Sequence, residues 1–354
     1  MTVTRRDQPT RSLVIAPQWI GDAVMSEPLM RCLADRGEKL SVAALPWVAP
    51  VYRAMPQVDD VIELPFAHGR LDWGGRRTAA RQLAGRFDAA YVLPNSLKSA
   101  LIPFLARIAR RVGYHGEGRL GLLNERLPNP PGRPPMVTFY SALAGRADAS
   151  QKHDTPRLQL SEAALAAATE RAGVKPGHYF AFAPGAEYGP AKRWPAAHYA
   201  ALARTLHASS SLPVLLLGSG KEAGLCEEIA AAAAQACLVL AGKTSLEDAM
   251  ALIAASRGMV SNDSGLMHVA AAFGVPQVAM FGSSSPEHTP PLNERAKVLW
   301  LKHELALDCA PCFARECRFG HTRCLVEISP LRLEAALQDA LHSRGEDGTA
   351  RDSQ

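Results

Sequence analysis

Residues 181–194 read AFAPGAEYGPAKRW, and residues 260–282 read VSNDSGLMHVAAAFGVPQVAMFG. Each joins a strand-like apolar run to a turn of small residues that should open a helix. In that geometry unpaired backbone N–H groups and the positive helix end face an anion. The first stretch adds Lys192 and Arg193, a point charge and a bidentate fork for phosphate oxygens. Pro195 suits the first turn of a helix, so this pair falls just before a helix start. The second stretch adds Asp263, Ser264 and His268 around Gly265, whose missing side chain lets an anion approach the backbone. Either Asp263 or Ser264 fits as the cap, leaving backbone donors at 264–266 for a phosphate. The plainer alternatives are a surface ion pair for either cation and a satisfied, partly buried imidazole for His268. Neither stretch matches GxxxxGK[ST] or GxGxxG. The reading is therefore a nucleotide diphosphate held by another kind of site.

Outward from these two stretches, strand-like and helix-like segments alternate along the chain, the pattern of a parallel α/β protein. Strands are expected at 12–16, 40–44, 61–64 and 89–93, with a turn and helix over Gly21 to Leu33. The pattern restarts near Tyr179, with strands at 179–183, 213–217, 237–240, 258–260 and 277–281. Helices are expected at about 196–208, 221–235, 246–255, 264–273 and 331–342. LPNPPGRPP (127–135) is a surface loop, because proline lacks the donor and restricts its predecessor. The interdomain linker is placed within 150–177. The expected architecture is two Rossmann-like doubly wound domains, 1–165 and 166–342, facing across a cleft, with ligands at the strand carboxyl ends. Residues 343–354 are polar and expected to be disordered.

Other candidates lie in turns. Gly21 permits a sharp bend after the first strand, and Asp22 then sits at a helix start. There it either caps the helix or accepts a proton as a general base. LLLGSGKE (215–222) ends a strand in a glycine turn with Ser219 and Glu222, whose carboxylate could bond ribose hydroxyls. AGKTSLED (241–248) places Thr244 where it would suit the nucleoside side of a pocket. From Lys98 to Arg126, six basic residues stand against two acids, which reads either as a surface for an anionic partner or as a solvated face. Cys309, Cys312, Cys317 and Cys324 lie close together with His321 nearby, but their C-x2-C-x4-C-x6-C spacing departs from common zinc patterns. A reduced loop without metal is the default reading.

Composition sets the limits. With 354 residues, 47% hydrophobic and 21% charged, the chain suffices for two domains with their own cores. It has no uncharged apolar run of 18 residues. The apolar run after MTVTRRDQPTR is too short for a signal sequence, which makes the cytoplasm the expected compartment. A net charge of +5 is too modest to argue for nucleic acid, and no nucleic-acid partner is expected.

Taken together, GDAVMSEPL (21–29), PGAEYGPAKRWP (184–195), GKTSLEDAMALIAAS (242–256), the block from Asn262 to Leu292 and the CxPCF…C…H…CL tail resemble the lipopolysaccharide heptosyltransferases. The matching order runs from about residue 12 to 342. The resemblance implies a GT-B fold, with the acceptor on the first domain and an ADP-sugar on the second. It implies inverting transfer of L-glycero-D-manno-heptose from ADP-heptose to a heptose on the Kdo–lipid A inner core, at the cytoplasmic face of the inner membrane. By resemblance Asp22 matches the base, and Lys192 the phosphate ligand. Asp263, Ser264, Gly265, Leu266 and His268 match the pyrophosphate-binding helix start. Ser219, Glu222 and Thr244 fall on the nucleoside side, and Gly21 and Lys98 on the acceptor side. No cofactor or metal is implied. Transfer to Kdo–lipid A itself, sugar-nucleotide epimerisation and nucleotide-sugar sensing without catalysis are the rival readings.

Overall fold

The computed structural model describes residues 9–66, 71–145 and 155–343. The chain separates into two compact units, Met1–Gln159 and Leu160–Gln354.

In the first unit the strands are β1 (Arg11–Ile15), β2 (Lys39–Ala44), β3 (Asp60–Glu63), β4 (Ala89–Val92), β5 (Arg110–Tyr114) and β6 (Glu125–Leu127). All pair in parallel, in the order β3-β2-β1-β4-β5-β6. Its helices are α1 (Ile20–Met25), α2 (Glu27–Ala34), α3 (Ala49–Arg53), α4 (Trp73–Leu83), α5 (Leu97–Leu105) and α6 (Met136–Ser141). β4 is buried along its whole length, as expected of a strand covered on both faces. Leu13, Ile15, Ala90 and Val92 of the central strands pack with Ala79, Ala80 and Leu83 of α4 and with Ala100 and Ile102 of α5.

The second unit repeats the plan. Its strands are β7 (Phe180–Ala183), β8 (Val214–Leu216), β9 (Cys237–Val239), β10 (Gly258–Asn262), β11 (Gln277–Phe281) and β12 (Ala296–Trp300), in the order β12-β11-β10-β7-β8-β9. Its helices are α7 (Glu162–Arg171), α8 (Ala196–Ser210), α9 (Ala223–Ala232), α10 (Leu246–Ala254), α11 (Gly265–Ala272), α12 (Arg323–Val326) and α13 (Pro330–His342). Most of the region read as a linker is thus ordered: α7 lies in it and packs on α10. In each unit the chain moves outward from a central strand in one direction, then returns and moves the other way. That reversal creates a crevice beside the carboxyl ends of β1 and β4, and of β7 and β10.

Three expectations change. The segment 21–33 forms two helices, because Pro28 lies in the first turn of α2. In a continuous helix its ring would strike the carbonyl four residues back. Ser26 occupies the break and donates its hydroxyl to the Ala23 carbonyl at 2.7 Å. Strands β5, β6 and β12 lack a clear apolar signal and went unread. In the basic run from 98 to 126, three of the six basic residues are tied into the fold rather than open to an anionic partner. Arg119 is buried and donates to the Pro94 carbonyl at 2.7 Å and to Asn95 Oδ1 at 3.0 Å. Arg110 grips Glu125 through two 2.8 Å bonds, and Arg111 donates to the Leu122 carbonyl at 2.7 Å. These arginines fasten the β5–β6 edge. Among the described residues no helix is long and apolar enough to cross a membrane. The expected disordered tail lies, apart from Ser343, outside the described residues.

Candidate functional site

In the second unit both quoted stretches arrive where expected. β7 and β10 are parallel neighbours, Ala183 lying beside Ser261. The turns that follow therefore emerge side by side at the crevice. The Lys192 ammonium meets Asp263 Oδ2 at 2.5 Å, with the carboxylate nearly buried. The same ammonium stands 5.4 Å above the Tyr188 ring. Arg193 is exposed and turns back towards the Ala186 carbonyl at 3.5 Å, whereas Trp194 is fully buried and donates its ring N–H to the Ile328 carbonyl at 2.9 Å. Trp194 is the anchor that fixes the basic pair at the end of its turn.

Ser264 is the N-cap residue of α11 but makes no side-chain cap bond. Its hydroxyl is buried without a hydrogen-bond partner among the described residues, as are those of Ser283 and Ser284 after β11. Buried hydroxyls left unmatched at a helix start suit an acceptor-rich ligand. Gly265 and Leu266 form the first turn of this helix, while His268 is buried one turn in. Burial pushes the His268 imidazole down to about 4, against the pull of Asp263 and with the help of Lys192. His268 is therefore neutral at physiological pH. It can donate or accept one hydrogen bond there but supplies no positive charge.

The nucleoside-side candidates line the next turns. Glu222 Oε2 accepts from the Ser219 amide at 2.8 Å and its hydroxyl at 3.1 Å, a reciprocal capping arrangement. The same carboxylate lies against Gly185, where an added Cβ would meet Oε1 at 1.6 Å. Capping and placement beside the first turn are thus two aspects of one side chain. Thr244 follows β9 and is half-buried, and the cap of α10 is Ser245, which accepts from the Asp248 amide at 3.0 Å.

In the first unit Asp22 is the third residue of α1, whose N-cap residue is Trp19. It is not the cap. Tyr140, on α6, donates its hydroxyl to Asp22 Oδ1 at 3.1 Å. Burial, and then the Asp22 charge, raises the Tyr140 phenol well above its ordinary range, so it remains a donor. Beside it, the Tyr52 hydroxyl meets Ser26 Oγ at 3.0 Å. Gly21 precedes Asp22 after β1, and Lys98 opens α5 after β4. The two candidate acceptor contacts therefore flank the switch point of this sheet.

Two contributions to the site carry no direct sequence signal of their role. Asn262, fully buried at the end of β10, accepts from the Trp194 amide at 3.0 Å and the Tyr199 hydroxyl at 3.2 Å. It donates to the Pro184 carbonyl at 2.7 Å. One amide thus joins the two quoted turns, and its only sequence signal is its place beside Asp263. The cysteine-rich segment is the other. The Tyr188 hydroxyl donates to the Phe313 carbonyl at 2.8 Å, and Arg315 stands 5.1 Å over the same ring. Gly189 has φ +158°, and a Cβ there would lie 2.4 Å from the Arg315 carbonyl. The segment therefore braces the Lys192 loop. Among the described residues no group of three or more His, Cys, Asp or Glu is placed to hold a metal ion.

Residues 76–323 match the model of glycosyltransferase family 9 (heptosyltransferase), and the chain belongs to that family. It is a glycosyltransferase of GT-B fold. It is 42% identical to lipopolysaccharide heptosyltransferase 2 of Salmonella typhimurium over 94% of this chain and 99% of that one. The corresponding Escherichia coli K12 protein is also 42% identical, over 91% and 95%. The solved structure of E. coli ADP-heptose lps heptosyltransferase II superposes with a TM-score of 0.82 at 39% identity, covering 94% of this chain and 98% of that one.

Proposed function

We propose that the chain transfers L-glycero-D-manno-heptose from ADP-heptose to the first heptose of the Kdo2–lipid A inner core, with inversion. The near full-length similarity to lipopolysaccharide heptosyltransferase 2 carries this reading. The anion site around Lys192, with the Ser264 hydroxyl and the start of α11, supports it chemically.

In this reading the second unit holds the donor. Lys192, Arg193, Ser264, Gly265 and Leu266 face the diphosphate, with Asp263 and His268 as neighbours, while Ser219, Glu222 and Thr244 face the nucleoside. The first unit holds the acceptor through Gly21 and Lys98. Asp22 takes the proton of the attacking hydroxyl as its oxygen bonds to the anomeric carbon. The anomeric C–O bond to phosphate breaks, and ADP leaves with the electron pair. The charge gained by the β-phosphate falls on Lys192 and the α11 amides, which strengthen their hold as it develops. Tyr140 holds one oxygen of the base. The enzyme works in the cytoplasm, at the surface of the inner membrane that carries its lipid-linked acceptor.

Mass spectrometry of heptosyl-Kdo2–lipid A after incubation with ADP-heptose tests the reading, with Kdo2–lipid A as control. A gain of one heptose on the heptosylated acceptor alone is expected. Gain only on the control would make this the enzyme of the preceding transfer.

A further inference from the structure

Beyond the site, the outer faces of α4 and α5 carry an arrangement that catalysis does not use. α4 reads WGGRRTAARQL and the stretch from Leu97 to Arg107 reads LKSALIPFLAR, with no acid in either. Trp73, Arg77 and Arg81 recur every four residues and form one stripe on α4. All three are exposed, Trp73 at 51%. The opposite face of α4 buries Ala79, Ala80 and Leu83 in the core. On α5, Leu97 and Phe104 recur at seven residues and remain exposed at 37% and 42%. Exposed Arg107 ends that stretch.

The two helices are held as one surface. Buried Arg76 of α4 donates to the Lys98 carbonyl of α5 at 2.9 Å and lies 4.5 Å over the Phe66 ring. Arg77, Arg81 and Arg107 make no ion pair with any described residue, whereas arginines elsewhere in the same unit pair with acids. The nearest acids at the rim, Asp72 and Glu117, accept from the backbone amides of Gly75 and Leu97. Arg77 and Arg81, one helical turn apart, repel one another with no acid between them. Indole and benzyl groups among unpaired guanidinium groups suit the headgroup region of a bilayer, where rings enter the interface and cations meet lipid phosphates.

We propose that this α4–α5 face docks on an anionic phospholipid bilayer. It deepens the functional reading above, because that reading puts the acceptor on a lipid. The docking itself is measured without transfer. The full chain is floated with vesicles of phosphatidylcholine alone, or with about a third phosphatidylglycerol. The chain should rise with the anionic vesicles, stay largely behind with the neutral ones, and be released by salt. Each cation is worth about fivefold in partition. The Arg77→Glu/Arg81→Glu variant should therefore lose at least about twenty-five-fold, and Trp73→Ala should weaken binding further. An unchanged melting temperature and ADP affinity, with Arg77→Gln/Arg81→Gln as the milder variant, keep the comparison on folded protein. Equal binding to both vesicles, or parental flotation of the reversed and neutral variants, would overturn the proposal. So would displacement by duplex DNA at matched phosphate, which would assign the face to nucleic acid. A wild-type chain that floats but transfers no heptose to a deacylated, water-soluble acceptor would count against the functional reading alone.

Discussion

Replacing Asn262 by alanine tests how the turns after β7 and β10 are joined. The side chain is fully buried and bonds the Trp194 amide at 3.0 Å, the Tyr199 hydroxyl at 3.2 Å and the Pro184 carbonyl at 2.7 Å. Alanine strands two donors and one acceptor in a dry interior. Each such group costs about 1–3 kcal/mol when its partner is removed, and relaxation around the smaller side chain recovers part of this. The expected loss is about 4 kcal/mol. For a unit of this size, 1 kcal/mol corresponds to roughly 2–4 °C, which places the drop in melting temperature near 10 °C. Scanning calorimetry measures it, and titration calorimetry with ADP should show weaker binding at temperatures where the variant is folded. A drop below about 2 °C with unchanged ADP affinity would mean that Asn262 does not join the two turns.

Lys192→Ala should weaken ADP binding by about ten- to a hundredfold, the range for losing a charge-assisted bond. Adding Asp263→Asn should recover part of this by removing a carboxylate left facing phosphate; titration calorimetry of both variants checks the coupling. Asp22→Ala should keep ADP affinity and abolish transfer in the mass-spectrometric assay, and near-normal turnover would remove Asp22 from the mechanism. Tyr140→Phe removes a donor that favours the ionised carboxylate. It should move the acidic limb of the kcat/KM–pH profile upwards by about half a unit or more, and an unmoved limb would leave Tyr140 a purely structural role. Glu27 sits buried beside Arg31 at 3.0 Å, and burial raises it to about 7, above the 4.5 of a free carboxyl. The folded state thus binds this proton more tightly, so this contribution to stability is fully present below about 4.5 and is lost as pH rises towards 7. Glu27→Gln should flatten that decline, read from melting temperature against pH, and an unchanged decline would refute the assignment.

The central strands could be read from sequence because burial on both faces demands unbroken apolar runs, as in FAFA of β7 and QVAMF of β11. Strands β5, β6 and β12 could not, although the edge strands β3 and β9 were legible. RRVGY of β5 begins with two arginines whose bonds to Glu125 and to backbone carbonyls outweigh its weak strand pattern. The turns that carry Lys192 and Asp263 were legible, since each follows a recognisable strand, but their meeting depends on a strand order that no local pattern encodes. Tyr140 was not, because it reaches Asp22 across 118 residues through packing that no local pattern encodes. Nor was the bracing of Tyr188 by Phe313 and Arg315. The cysteine spacing drew notice to that segment, but the backbone carbonyls within it make the contacts.

The Lys192–Asp263 pair has a consequence for which anions can enter. A carboxylate held 2.5 Å from the ammonium competes as a tethered occupant. Chloride or orthophosphate must displace it with one point of attachment. In the reading proposed above, a nucleoside diphosphate would bring several oxygens at once, engage the α11 amides and neighbouring hydroxyls together, and be anchored again through its nucleoside. On that reading the loop discriminates by valency rather than by charge alone.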